Sequence, residues 1–258
     1  MSKIGFLGSD TFTIIGHCER TGMLGICVAT SPIAVASRCP FVKAGVGAVS
    51  IQAFTNPRLG SLAVQLLEMG YSAPKVLKEL EESDTEPEMR QIGIVDKDGN
   101  SAAYSGDKNY EWHGEIVKKN YVAMGNGLAG KDVIRSMADA FEDSQEEWLE
   151  DRLIRAIAAG YDAGGQINGL LFSIGLLVKD KDNVISRVDL RVDHNKEPIK
   201  EMRRILDIYR PMIPYYTNRP SNPDMGEPEE WLRNNMSKAE FKRYQEDYLL
   251  GIIPKDSW

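Results

Sequence analysis

Apolar and β-branched residues fill Thr11–His17 (TFTIIGH) and Leu24–Thr30 (LGICVAT) almost without a break, as strands covered on both faces do. Glu19-Arg20-Thr21-Gly22 separates them and reads as the turn of a hairpin. After a loop bearing Pro and Ser, Ala48–Ala53 (AVSIQA) is a third strand, and Gly45 and Gly47 ahead of it suggest a bend or a close backbone approach. The period then becomes helical: Leu59, Leu62, Ala63, Leu66 and Leu67 share one face of a helix over Leu59–Met69. Ser72 is positioned to cap a second helix, with Pro74 in its first turn and Val76, Leu77 and Leu80 facing inward. Gln91–Val95 and Ser101–Ser105 flank Asp98-Gly99-Asn100, a hairpin turn, and Tyr121–Met124 is another short strand. Helices follow at about 131–143 and 146–160, the second with Trp148, Leu149, Leu153, Ile154 and Ile157 on one face. Strands Leu170–Val178 and Arg187–Val192 and a helix over Glu197–Tyr209 complete the regular pattern.

Strands, two helices, strands, two helices, strands, helix is not the β-α-β alternation of a doubly wound parallel sheet. It predicts an α+β domain of sheets stacked face to face with helices outside, over residues 11–210. Residues 1–10 stand apart as an N-terminal extension or propeptide. From Pro211 onward prolines and aromatics concentrate, among them Tyr215, Tyr216 and Trp231, and predict an extended arm followed by short helices. Phe241, Tyr244 and Tyr248 fall on one face of the last of these, so 211–258 is expected to dock on the domain or on a partner subunit.

Charge narrows the choice of partner. Lys plus Arg total 31 against 38 Asp plus Glu, a net charge of −7. Nucleic-acid affinity comes largely from cations neutralising phosphates, and no basic stripe offsets this balance, so no nucleic-acid partner is expected. Cys18, Cys27 and Cys39 are odd in number and lack CxxC spacing, which suits reduced thiols. MSKIGFLGSD has no signal-peptide apolar run, and the longest apolar stretch, Gly169–Val178, is too short to span a bilayer. The expectation is a cytoplasmic protein without a membrane partner.

Gly125-Asn126-Gly127-Leu128-Ala129-Gly130 fits the spacing of a dinucleotide fingerprint, follows a strand and opens a helix. That helix runs into another helix where a second parallel strand should carry the ribose-binding acid, so NAD is rejected and the glycines are assigned to a tight turn. His17, His113 and His194 are scattered without metal-ligand spacing. Asp189, Arg191 and Asp193 alternate along a strand, as on a solvated sheet face, and no GxSxG elbow is present. Neither a metal nor a cofactor is implied.

Five segments taken in order carry a resemblance. They are TFTII at Thr11–Ile15, TGMLGICVATS, FVKAGVGAVSIQAFTNPRLG, and the later GNGLAG and VDLRVD. Together they resemble the Ntn-hydrolase-like family known as domain of unknown function 1028, over about 11–208. The resemblance implies a four-layer αββα sandwich of the N-terminal-nucleophile (Ntn) type, here with a Pro- and aromatic-rich C-terminal extension. It also implies an amidohydrolase cleaving a C–N bond of a small-molecule substrate. Thr11 would be the catalytic nucleophile, its hydroxyl activated by its own α-amine of pKa about 7.7–8.0. Asn126 is assigned with it, and Gln52 and Asn56 share the orientation and oxyanion roles; Ser31 and Arg38 are further substrate-binding candidates. Ordinary turn chemistry is the alternative for Asn56 and Asn126, and an ordinary strand residue the alternative for Thr11.

Two departures from the family pattern stand out. Family members commonly begin Met-Thr, whereas residues 1–10 precede Thr11 here; either the Asp10–Thr11 bond is cut, or the start is misassigned, or the chain is not such a hydrolase. Gly164-Gly165-Gln166-Ile167-Asn168-Gly169 stands where the family tends to have G-G-D-x-R-G. The rival reading is a non-catalytic protein that binds a ligand or partner on the same scaffold, and a third is a structural subunit assembled through its tail; a homo-oligomer is expected.

Overall fold

A computed structural model describes residues 10–182 and 185–249; the extension over residues 1–9 lies outside them. The described residues up to Met202 form one compact unit, and those from Arg203 form a second.

The hairpin is built as its pattern predicts, one residue longer on each side of the turn: β1 is Thr11–Cys18 and β2 is Met23–Thr30. Their register runs from Thr11 opposite Thr30 to Cys18 opposite Met23, and every residue of both is buried. The region read as loop contains a 3-10 turn at Val35–Ser37 and a short edge strand, β3, at Pro40–Lys43. β4 follows at Gly47–Ala53, then helices α1 (Pro57–Glu68) and α2 (Ala73–Ser83). β5 (Arg90–Asp96) and β6 (Ser101–Ser105) form the expected hairpin. β7 (Gly114–Lys118), a second unexpected edge strand, pairs with β8 (Tyr121–Asn126). Helices α3 (Lys131–Glu142) and α4 (Leu149–Asp162) precede β9 (Ser173–Lys179) and β10 (Ser186–Val192), and α5 spans Pro198–Tyr209. All pairings are antiparallel: one sheet has the order β10-β9-β2-β1-β8-β7, the other β3-β4-β5-β6.

Alternation along the strands decides what each face meets. Ile15, Leu24, Ile26, Val28, Val122 and Met124 of the six-stranded sheet pack against Ala48 and Val95 of the four-stranded one. The other face of the smaller sheet, Val49, Ile51, Ile92 and Ile94, is covered by Leu59, Ala63 and Leu67 of α1 and Val76, Leu77 and Leu80 of α2. α3 and α4 pack on the larger sheet, α4 against β1, β2 and β9 and α3 against β7 and β8. Each fully buried aliphatic side chain contributes roughly 1.5–3 kcal/mol, so these contacts dominate the stability of the unit. At Gly93 the sheets approach so closely that a Cβ would lie 2.9 Å from Ile15 Cδ1 and from Met124 Sδ.

Three expectations need correction. Trp148 precedes α4 instead of joining its apolar face; it is exposed, and the Arg187 guanidinium lies over its ring, 4.4 Å from the centroid, a cation–π contact that keeps the ring at the surface. Ser72 does not cap α2 with its hydroxyl; the buried Asp96 accepts the Ala73 N–H at 3.0 Å instead. In the second unit the extended arm is absent, because Arg210–Met212, Ile213–Asn218 (α6) and Arg219–Ser221 are all helical turns with Pro in the first turn of each. There the proline ring's fixed φ suits a helix start and no N–H is missed. α7 (Pro228–Asn235) and α8 (Lys238–Leu249) follow, and Met212, Tyr215, Leu232 and Phe241 make the core of this unit.

Asp96 also accepts from the Asp98 and Asn100 backbone N–H groups, at 3.0 and 2.9 Å, and from the Asn100 amide. One carboxylate thus holds both the β5–β6 turn and the start of α2. Asp96→Ala should lower stability by about 3 kcal/mol, since hydrogen bonds to a charged group are among the stronger ones and several donors lose their acceptor together. The check is the urea midpoint at unchanged slope; a shift below about 0.5 kcal/mol would show the cluster contributes no more than an ordinary surface site.

Candidate active site

The inward rows of five strands change character at the same end of the inter-sheet space. On β1 the row reads Ile15, Thr13, Thr11, and on β2 it ends in Val28 and Thr30. On β8 Met124 is followed by Asn126, on β4 Ala48 by Ser50 and Gln52, and on β5 Val95 by Gly93 and Gln91. Register places Thr11 beside both Thr30 and Asn126, and Gln52 beside Gln91, so the polar ends gather into one buried cluster. Every one of these polar residues is 5% exposed or less.

Gln91 organises the cluster. Its Nε2 donates to the Gly125 carbonyl (2.9 Å), the Ser105 hydroxyl (2.7 Å) and the Gly114 carbonyl (3.3 Å). Backbone carbonyls only accept, so the amide nitrogen must face them and Oε1 must face the cluster. That oxygen takes Gln52 Nε2 at 2.7 Å and Asn126 Nδ2 at 2.9 Å. Gln52 Oε1 is thereby turned to Thr13, whose hydroxyl donates at 2.6 Å, while Gln52 Nε2 also reaches the Thr11 carbonyl at 3.4 Å. Asn126 Oδ1 is left buried without a hydrogen-bond partner.

The Asp10–Thr11 peptide sits beside this network. Thr11 Oγ1 donates to Thr30 Oγ1 at 3.2 Å, and Thr30 Oγ1 donates to the Asp10 carbonyl oxygen at 2.5 Å. Gln166 Nε2 donates to the same carbonyl. Gln166 is held in turn by Ser31, whose hydroxyl lies 3.0 Å from Gln166 Oε1 and accepts from Asn168 Nδ2 at 3.2 Å. The Asp10 carboxyl is packed against Gly127, where a Cβ would come within 2.4 Å of Oδ1 and where φ is +62°. Its Oδ2 has no partner. Burial pushes this carboxyl above the ordinary carboxylate range, and a hydrogen bond to its own backbone only partly offsets that.

Of the residues singled out in the sequence, Thr11, Asn126, Gln52 and Ser31 are brought together. Asn56 is not part of the network; it caps α1 by accepting the Arg58 N–H at 3.3 Å, the turn chemistry weighed as its alternative. Arg38 folds onto its own loop, donating to the Ile33 and Ala34 carbonyls at 2.9 and 3.0 Å. Burial pushes the neighbouring Cys39 thiol up to about 11, against a smaller opposing pull from Arg38, so no thiolate is offered there. Sequence reasoning missed Thr13, Thr30, Gln91 and Gln166. Thr13 and Thr30 lie inside segments that carry the family resemblance, and Gln166 inside a departure from the family pattern. The exposed Phe54 and Tyr110 rings stack at 5.7 Å, and the Tyr110 carbonyl takes the Gly127 N–H at 3.1 Å, so the Tyr110 backbone lies next to the residue after Asn126.

Fold and site together define a mixed α+β protein of two facing antiparallel sheets and flanking helices, with a strand-initial threonine in a buried amide and hydroxyl cluster. The chain belongs to the family described as Family of unknown function (DUF1028), which matches residues 11–202. A crystal structure from the same family, protein SPO2555 from Silicibacter pomeroyi, is 28% identical, with 78% of this chain and 86% of that one covered at a TM-score of 0.72. Anbu (ancestral beta-subunit) from Yersinia bercovieri is 11% identical at a TM-score of 0.37, covering 77% of this chain and 96% of that one. An Anbu (Gly-1) mutant from Hyphomicrobium sp. strain MC1 is 10% identical at 0.40, covering 84% and 98%. No curated protein matches the chain. Among the described residues, no helix is long and apolar enough to cross a membrane.

The buried Asp10 carboxyl gives a pH signature. With its folded pKa raised, the folded state binds the proton more tightly than the unfolded chain, so stability falls as pH rises from the unfolded value through the folded one. Asp10→Asn removes the charge without changing shape. Its Tm should exceed the parent's at pH 7, and the gap should close as pH falls from the raised pKa to the unfolded one; a gap independent of pH would mean that burial does not raise this carboxyl.

Proposed function

We propose that the chain is an N-terminal-nucleophile amidohydrolase on an αββα sandwich, in which Thr11 becomes the nucleophile once the Asp10–Thr11 bond is opened. The layering fits this reading: α3 and α4 on one sheet, the two sheets face to face, α1 and α2 on the other. The observation that carries it is the Asp10 carbonyl, which two buried side-chain donors, Thr30 Oγ1 and Gln166 Nε2, hold beside the Thr11 hydroxyl. Donors aimed at a carbonyl oxygen stabilise the negative charge that develops when its carbon is attacked.

Opening the bond needs only Thr11 and water. Thr11 Oγ1 bonds to the Asp10 carbonyl carbon, the hydroxyl proton passes to the Thr11 nitrogen, and the C–N bond breaks to leave an ester. Water hydrolyses the ester, leaving Asp10 as a terminal carboxylate and Thr11 with a primary α-amine. In turnover the carbonyl of a small-molecule amide takes the place of the Asp10 carbonyl and uses the same two donors. The α-amine, of ordinary pKa about 7.7–8.0, takes the hydroxyl proton and passes it to the leaving amine. Water then releases the acid. Asn126 Oδ1, the acceptor left over from the amide network, is the group to hold an N–H of that amine. Gln52 is a positioning residue, and Ser31 positions Gln166. The Phe54–Tyr110 pair suits a substrate with an apolar acyl group.

Intact-mass measurement of the purified chain over days at pH 7–8 tests this. The expected result is conversion to a species beginning at Thr11, absent in Thr11→Ala. Gln166→Leu should slow it by about 10²-fold, the usual effect of losing one oxyanion donor. A chain that stays intact under all conditions, in its native host as well, would sink the hydrolase reading and leave a non-catalytic binding protein. For the matured form, Phe54→Ala should raise KM for apolar amides several-fold with little change in kcat, since a wall contact binds ground and transition states alike; a fall in kcat alone would remove Phe54 from the substrate's path.

A further inference from the structure

At the other end of β1, seven residues and roughly 23 Å from Thr11, a cavity of about 600 Å³ opens beside the hairpin turn. Its size is that of a small-ligand site. His17 and Cys18 of β1, Lys119 and Tyr121 of the β7–β8 hairpin, and Phe141 and Arg152 of the α3–α4 pair line it. Arg152 is 7% exposed, yet its Nε has no hydrogen-bond partner. Nη2 donates to the Phe141 carbonyl at 3.1 Å, the guanidinium carbon lies 4.0 Å from the Phe141 ring centroid, and Cys18 lies beside the guanidinium. Among the described residues no carboxylate forms an ion pair with it. A buried charge with neither a counter-ion nor a full set of acceptors is costly, and a bound anion is the direct remedy.

The other charges on the wall select the anion. Glu142 is already engaged by Lys118 at 2.6 Å and by the Tyr121 hydroxyl at 2.5 Å. Arg20 and Lys119 are turned to backbone carbonyls, of Glu146 and Glu147 and of Asp98, and so keep their charge. Glu19 and Glu146 are exposed on the same wall. One buried guanidinium therefore matches one negative charge, whereas a dianion would meet these carboxylates. A planar carboxylate also fits the fork of an arginine. Tyr121 and Phe141, whose ring centroids are 5.2 Å apart, supply an apolar wall for the rest of the molecule.

We propose that this cavity is a binding site for a small monocarboxylate with an apolar body, its carboxylate seated on Arg152. It is separate from the Thr11 cluster and does not depend on the function proposed for it.

Calorimetry with sodium benzoate, benzamide and inorganic phosphate on the full chain tests the site. Benzoate should bind at least about tenfold more tightly than either of the others, and Arg152→Met should weaken it by at least about tenfold. Thr11→Ala should leave it unchanged. In the parent chain the Arg152 Nε–H resonance should shift on saturation with benzoate, a readout that remains if Arg152→Met fails to fold. No binding, an unmoved Nε–H resonance at saturation, or equal affinity in Arg152→Met would overturn the site. Benzamide binding as tightly as benzoate, or phosphate binding more tightly, would overturn the carboxylate, and lost affinity in Thr11→Ala would assign binding to the other end of the strand.

Discussion

The orientation of one side-chain amide, that of Gln91, constrains the polar end of the molecule. Its nitrogen is committed to the backbone carbonyls of Gly125 and Gly114, which belong to the six-stranded sheet, while Gln91 itself belongs to the four-stranded one. The amide therefore ties the two sheets together and sets the direction of every amide after it. With Oε1 facing inward, Gln52 and Asn126 must both present nitrogen, Gln52 must offer oxygen to Thr13, and Asn126 must keep an unused acceptor. No flip of a single member is possible without placing two donors or two acceptors face to face. Buried networks of this kind are rigid when satisfied, because each alternative leaves a polar group unpaired in a low-dielectric interior.

Four buried side-chain polar atoms among the described residues lack a partner, and three are accounted for by the two ends of β1. Asp10 Oδ2 and Asn126 Oδ1 lie by the Asp10–Thr11 end, and Arg152 lines the cavity at the opposite end. Each such atom costs about 1–3 kcal/mol, a large fraction of the 5–15 kcal/mol by which a domain is stable. The apolar layers between them, Ile15, Val122 and Met124 against Ala48 and Val95, can carry that cost because both sheet faces are buried. The strand thus has a well-packed middle and polar ends that are incompletely satisfied, and the expectation that unsatisfied groups mark function applies to both.

Much of this was legible in the chain. Continuous apolar runs gave β1 and β2 because a doubly covered strand needs no alternation, and the helical periods gave α1 to α4 within a few residues. The edge strands β3 and β7 escaped because they are short and half exposed, so Pro40–Lys43 and Gly114–Lys118 carry no period-2 signal. Thr11, Gln52, Ser31 and Asn126 were found through motifs. Gln91 was not, since it opens a plain hairpin strand and its importance depends on which sheet lies opposite. Arg152 was invisible for a similar reason: a charged residue in the first turn of an amphipathic helix reads as solvated surface until a cavity and a neighbouring ring are seen around it.

Gln166 connects the two departures from the family pattern. Its Nε2 needs an acceptor, and the acceptor it finds is the Asp10 carbonyl, a group that exists only while a residue precedes Thr11. An ionised aspartate in that position could only accept, and so would suit a chain whose Thr carries an α-ammonium from the outset. It would meet the Asp10 carbonyl with like polarity and stand close to the buried Asp10 carboxyl. The glutamine is matched to an extended chain on both counts, neutral beside a carboxyl that burial already disfavours as an anion and a donor toward the peptide oxygen. Ser31 completes the match: its hydroxyl, which accepts from Asn168 Nδ2, donates to Gln166 Oε1 and so keeps the glutamine nitrogen turned to the bond. The departure in the Gly164–Gly169 loop is, in the folded chain, a contact made to the residue that precedes the threonine.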